Sequence, residues 1–258
     1  MATIARRRAS IAGSPITLRR DVWWGPPLIT FIVLVSFVVY GSWVAFVGEN
    51  YFAEPYLSPF YSPCLATSCE EITLPLVGDW WRLSPALLIL PFPLGFRLTC
   101  YYYRKAYYRA FWFSPPACAV AEPHRRYTGE TRFPLVLQNI HRYFFYASIP
   151  FPVILFIDGV RAFRFPDGFG LGLGTLILLA NAVMLGLYTL SCHSCRHLCG
   201  GQMDVFSRSP VRFRLWKLVT KLNLKHMQLA WVSLFGVALT DLYVRLVAMG
   251  VISDLRFF

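Results

Sequence analysis

The long apolar runs constrain this chain most. Two of them, Leu28 to Val47 and Leu171 to Leu190, match the ~20 residues that an α-helix needs to cross a hydrocarbon core. Lipid offers a backbone no hydrogen-bond partner, so such segments cross as helices. Three more runs follow the same logic. One extends from about Pro85 to Tyr103 and is kinked by Pro91 and Pro93, with Arg97 inside it. The others are Tyr143 to Ile157, and Met227 to Val251, which contains Asp241 and Arg245. With their flanks the spans cover about 26–48, 82–104, 138–158, 169–195 and 223–251. The expected fold is an all-α integral membrane protein, a bundle of five transmembrane helices forming one domain over 1–258.

A formal net charge of +12 raises the question of nucleic acid. The basic residues lie between apolar runs, where they set topology instead of lining a groove, so nucleic acid is set aside. Arg6, Arg7, Arg8, Arg19 and Arg20 precede the first span. Arg104, Lys105, Arg109, Arg125, Arg126 and Arg132 follow the second, and Arg196, Arg208, Arg212, Arg214, Lys217 and Lys221 follow the fourth. Between the first two spans acids dominate: Glu49, Glu54, Glu70, Glu71 and Asp79 against Arg82. The expected N-terminus is cytoplasmic and the C-terminus outside. Cys64 and Cys69 in the outer loop either pair or stay as thiols. Trp80 and Trp81 on one side, and Trp23 and Trp24 on the other, suit interfacial belts.

The densest chemistry is in SCHSCRHLCGG, Ser191 to Gly201, with three cysteines and two histidines. Thiolate and imidazole suit zinc and iron–sulfur centres, not calcium or magnesium. His141 starts the third span, His193 and His197 end the fourth, and His226 starts the fifth, all at one membrane face. His124 falls in a loop on that side, and no histidine lies in the other half.

If 192–199 continue the helix, Cys192, Cys195 and Cys199 share one face. Cys192 and Cys195 with His141 and His226 then form the two-sulfur, two-nitrogen set of a Rieske-type [2Fe–2S] cluster, which ranks first. Haem b, with two axial histidines drawn from His141, His226, His193 and His197, ranks second. Structural zinc on Cys192, Cys195, His197 and Cys199, or inert packing cysteines, come behind.

Arg97 in an apolar run either faces the bundle interior or snorkels. Asp241 and Arg245, at i and i+4, read as a structural ion pair. GFGLGLG, Gly168 to Gly174, reads as close helix packing and not a phosphate loop. A transporter would need carboxylates in several spans, and Asp241 stands alone. No internal repeat is apparent.

Four stretches carry a resemblance: CYYYRKAYYRAFWFSPPACAV (Cys100 to Val120), YTGETRFPLVLQNIHRYFFY (Tyr127 to Tyr146), SCHSCRH (Ser191 to His197) and LNLKHMQLAW (Leu222 to Trp231). They closely resemble the cytochrome b-like, C-type membrane-anchor subunit of actinobacterial, especially mycobacterial, succinate dehydrogenase, over nearly the whole chain. The resemblance implies a multi-pass protein of the plasma membrane in respiratory complex II. There, a flavoprotein oxidises succinate and an iron–sulfur protein relays electrons to quinone at the anchor, with menaquinone the expected substrate. Two-haem anchors need a second pair of histidines near the outer face, and this sequence has none to supply. Arg97, Arg142 and Lys225 are the candidates for binding the quinone, chosen by depth and chemistry.

Overall fold

The computed structural model describes residues 17, 19–63, 72–73, 82–121, 131–133, 135–201 and 203–258. Arg6 to Arg8, the Cys64 and Cys69 pair, Glu70, Glu71, Asp79, Trp80, Trp81, His124, Arg125 and Arg126 lie outside the described residues.

The fold is mostly helical: α1 (Gly25–Val47), α2 (Pro85–Ile89), α3 (Pro91–Leu98), α4 (Tyr101–Trp112), α5 (His141–Ser148), α6 (Pro150–Arg161), α7 (Leu173–Leu190), α8 (His193–Gly200), α9 (Pro210–Asn223) and α10 (His226–Ala248). Among the described residues, four segments are long and apolar enough to cross a membrane: Gly25–Val47, Val136–Arg161, Leu173–Leu190 and His226–Ala248. α1 begins with prolines, whose missing N–H groups the first turn does not need, and stops at Gly48 with a left-handed φ of 66°.

The second apolar run behaves differently. Leu90 keeps helical angles and links α2 to α3, accepting from Leu94 N at 2.9 Å and donating to Ala86 O at 2.8 Å. Pro91 and Pro93 interrupt this segment as expected. It then ends at Leu98 instead of running to Tyr103. At 1.5 Å per residue, 85–98 reaches roughly 21 Å, short of a ~30 Å hydrocarbon core.

α7 packs between α6 and α10, α3 against α5, α1 against α4, and α8 against α9. Ile29, Ile32 and Val39 on α1, Val153 on α6, Val183 on α7 and Leu239 on α10 are exposed. Water disfavours apolar faces of this extent, whereas lipid accepts them.

Polar groups inside the bundle are gathered. The expected Asp241–Arg245 pair forms at 2.9 Å, with both side chains buried. Tyr40 donates to Asp241 Oδ2 at 2.5 Å, Ser58 donates to Oδ1, and Arg245 Nη1 donates to the Glu49 carbonyl at 2.6 Å. Two charges buried in this way tie α10 to α1 and the loop after it. Removing either partner would leave the other uncompensated, at about 3–5 kcal/mol.

Gly170, Gly172 and Gly174 pack closely, though not against another helix, whereas Gly168 takes a left-handed φ of 132° in open space. Gly174 abuts the Tyr56 ring, and Gly170 and Gly172 abut residues 254–258. There, Leu171 N donates to Phe258 O at 3.1 Å and Phe257 N to Leu171 O at 2.8 Å.

Candidate metal centre

α3 ends at Thr99, and the next residue, Cys100, is extended (φ −65°, ψ 129°) before α4 begins. α7 ends at Ser191 in the same way, with Cys192 extended (φ −66°, ψ 147°) before α8. At each break a hydroxyl turns back onto the last turn of its helix, Thr99 donating to Gly95 O at 2.7 Å and Ser191 to Tyr188 O at 2.8 Å. The five-residue stretches FRLTC (96–100) and YTLSC (188–192) therefore share one local geometry, a repeat in the structure with only leucine and cysteine in common.

The repeat extends to the histidines. His141 opens α5 and His226 opens α10. The Thr99 hydroxyl meets His141 Nδ1 at 2.9 Å, and the Ser191 hydroxyl meets His226 Nδ1 at 2.7 Å. Three residues before each histidine an amide fixes a helix end: Gln138 Nε2 donates to Leu98 O at 3.1 Å, and Asn223 Nδ2 to Ser191 O at 2.7 Å. An aromatic ring stacks on each imidazole, Phe96 on His141 at 5.1 Å and Tyr188 on His226 at 5.2 Å. Gly95 lies against the Phe144 ring and brings α3 close to α5.

The thiols are exchanged between the halves. Cys192 Sγ lies 3.1 Å from His141 Nε2, and Cys100 Sγ lies 3.3 Å from His226 Nε2. The hydrogen-bond network assigns the tautomers. Both hydroxyls have already given their proton to a carbonyl, so each accepts from an Nδ1–H, leaving the Nε2 lone pair directed at sulfur. A partner fixing one ring nitrogen while the other stays free is how proteins prepare a histidine for a metal.

Cys100, His141, Cys192 and His226 line one cavity of 230 Å³. Among the described residues no group of three or more histidine, cysteine or carboxylate side chains is gathered tightly enough for a single metal ion. The four donors form two imidazole–thiol pairs around a space instead.

Of the expected ligands, His141, Cys192 and His226 meet here. Cys195 does not line the cavity: Cys192 caps α8 from an extended conformation, so the assumed continuous helix is broken. Cys195 is buried in the same apolar cluster as Cys100 and Cys192, with Val219 and the half-buried Cys199. His193 is exposed at the cavity's edge. His197 is exposed and bonds Arg142 at 2.8 Å, so the Cys192, Cys195, His197 and Cys199 set is not assembled.

Arg97 faces the interior and does not snorkel. It donates to Tyr103 Oη at 2.7 Å, Ala230 O at 3.2 Å and Ser233 Oγ at 2.9 Å, and its guanidinium lies 4.6 Å from the Tyr188 ring centroid. It borders a second cavity of 450 Å³ with nearly all-apolar walls, also lined by Phe96 and Tyr188. Those two rings thus stand between the cavities. Arg142 and Lys225 are exposed and line neither. The structure does not bring Arg97, Arg142 and Lys225 together.

Comparison with known proteins decides the family. The sequence pattern of the actinobacterial succinate dehydrogenase subunit SdhC matches residues 25–250. The chain belongs to this SdhC family. A solved structure, the Mycobacterium smegmatis Sdh1 complex in the apo form, contains a chain 52% identical to it with a TM-score of 0.86, covering 100% of this chain and 99% of that one. Comparison with curated proteins gives no significant match. As an SdhC family member with several apolar helices, the chain is a multi-pass protein of the cell membrane and the membrane anchor of a succinate dehydrogenase, an oxidoreductase. Every residue of the Cys/His cluster falls inside the matched region.

Proposed function

We propose that this SdhC chain holds the flavoprotein and iron–sulfur subunits at the membrane and passes their electrons to quinone through a [2Fe–2S] cluster on Cys100, Cys192, His141 and His226. The carrying observation is the matched pair of imidazole–thiol contacts at 3.1 and 3.3 Å around one cavity. Two sulfur and two nitrogen donors are the Rieske ligand set, in which two imidazoles replace two thiolates on one of the two irons. The cluster would supply one-electron transfer at a potential raised by its imidazole ligands.

The chain's own residues do the rest. Thr99 and Ser191 hold the Nε2 lone pairs ready, Gln138 and Asn223 fix the helix breaks, and Phe96 and Tyr188 exclude water from one side. The apolar 450 Å³ cavity beyond those rings suits a quinone head, with Arg97 as the charge at its wall. Menaquinone, the expected substrate, takes up two electrons and two protons there. Arg142 and Lys225 lose support as quinone ligands, because neither lines that cavity.

The chain crosses five times in this reading, with α2 and α3 completed by the turn into α4. Its N-terminus and the Cys/His centre face the cytoplasm, and its C-terminus lies outside. The basic loops on that side then meet the soluble subunits through charge complementarity. Haem b on His141 and His226 is less well supported, since 230 Å³ lies below even the ~300 Å³ lower bound of ordinary ligand sites. Zinc is disfavoured by the dispersal of its proposed ligands.

Replacing Cys100 by alanine in the purified complex tests the assignment against Cys195→Ala. Cys100→Ala should abolish a nitrogen-coupled paramagnetic signal and the matching iron, while Cys195→Ala keeps both. Retention of the signal in Cys100→Ala would reject the ligand set.

A further inference from the structure

The two halves differ by one hydroxyl at their stacking rings: Phe96 lies over His141 and Tyr188 over His226. The Tyr188 side chain is 1% exposed, and its hydroxyl makes no hydrogen bond. A phenol O–H left unbonded in the interior costs about 1–3 kcal/mol, a cost that a bond formed on loading the site would remove. The Tyr188 ring stacks on His226, whose Nε2 meets the Cys100 sulfur at 3.3 Å, so ring and sulfur flank one imidazole, and Arg97 sits over the same ring at 4.6 Å. A neutral thiol is a weak acceptor, whereas a metal-bound thiolate is a strong one.

We infer that Tyr188 is a positioning residue whose hydroxyl donates to the Cys100 sulfur once the centre is loaded, and so raises its affinity for the electron. The inference rests on the [2Fe–2S] reading above. A loaded centre would take one electron from the soluble subunits and give it to quinone, and its ligand sulfurs would carry more negative charge in the reduced form. A donor aimed at one of them stabilises the reduced form more than the oxidised form, and hydrogen bonds to the sulfurs are a recognised control of such potentials. Cys192 has Phe96 on its side of the site, so the tuning acts on one sulfur and not its counterpart.

The test is a redox titration of the purified complex followed by paramagnetic resonance, wild type against Tyr188→Phe. The variant keeps the stacked ring and removes a single oxygen with no present partner. It should keep the nitrogen-coupled signal at full intensity while binding the electron about tenfold less tightly, a midpoint about 59 mV lower for a one-electron couple. An unchanged midpoint overturns the inference. So does a rise in quinone KM with the midpoint unmoved, which would give the hydroxyl to the quinone cavity instead. Absence of any nitrogen-coupled signal from the wild-type complex would reject the cluster reading itself, a separate failure. If Tyr188→Phe does not assemble, fluorotyrosine at 188 decides. It is a stronger donor of nearly the same shape and should raise the midpoint, and no rise overturns the proposal.

Discussion

The half of the site built on FRLTC and His141 and the half built on YTLSC and His226 share almost every interaction and differ in their surroundings. In each, a hydroxyl turns back where a helix stops, a cysteine takes the extended position, a histidine opens another helix, and an amide three residues earlier holds a carbonyl. The shared contacts present donors, so they must be duplicated. The differing positions, Phe96 against Tyr188 and Arg97 against Thr189, face the apolar cavity, so they need not be. The imidazole–thiol contacts are symmetric in this molecule, and the cavity wall beside them is not.

The largest effects should fall equally on both halves. Cys192→Ala should match Cys100→Ala in losing the centre's iron and quinone reduction, measured by metal analysis and turnover of the complex. A centre that survives one of the two would break the equivalence. Next come the hydroxyls. Thr99→Val and Ser191→Ala should each weaken retention of the centre by roughly 10–100-fold, read as iron lost during chelator challenge.

The third comparison is unequal by design. Arg97→Gln removes a charge with three hydrogen-bond partners and should raise the quinone KM by about tenfold or more. Thr189→Ala, at the matching position, loses only a bond to Leu185 O within its own helix. Thermal unfolding of that variant should move by the equivalent of about 0.5 kcal/mol or less. Smallest of all, Arg142→Gln and Lys225→Gln should leave the paramagnetic signal and quinone KM unchanged.

Apolar length made four membrane segments legible from sequence, because the bilayer imposes a single dimension on every crossing helix. The run around Pro91 was harder, since Thr99 ends its helix where hydropathy continues into three tyrosines. The depth of His141 and His226 in the sequence points to one site, and Cys100 lies at the same depth at the end of that run. A helical wheel puts Cys195 beside Cys192, but the helix stops at Ser191 and restarts at His193. The repeat escaped notice because only leucine and cysteine are identical between FRLTC and YTLSC. Its equivalence resides in hydrogen bonds, not in letters.

The four donors come from stretches spread between residues 96 and 226, and the last of them opens the final long helix. A ribosome that has delivered everything up to Asn223 has therefore made three-quarters of a binding site and no more. On the proposed reading, maturation of the centre would wait until α10 has emerged and inserted, and a chain truncated before His226 would lack the last donor.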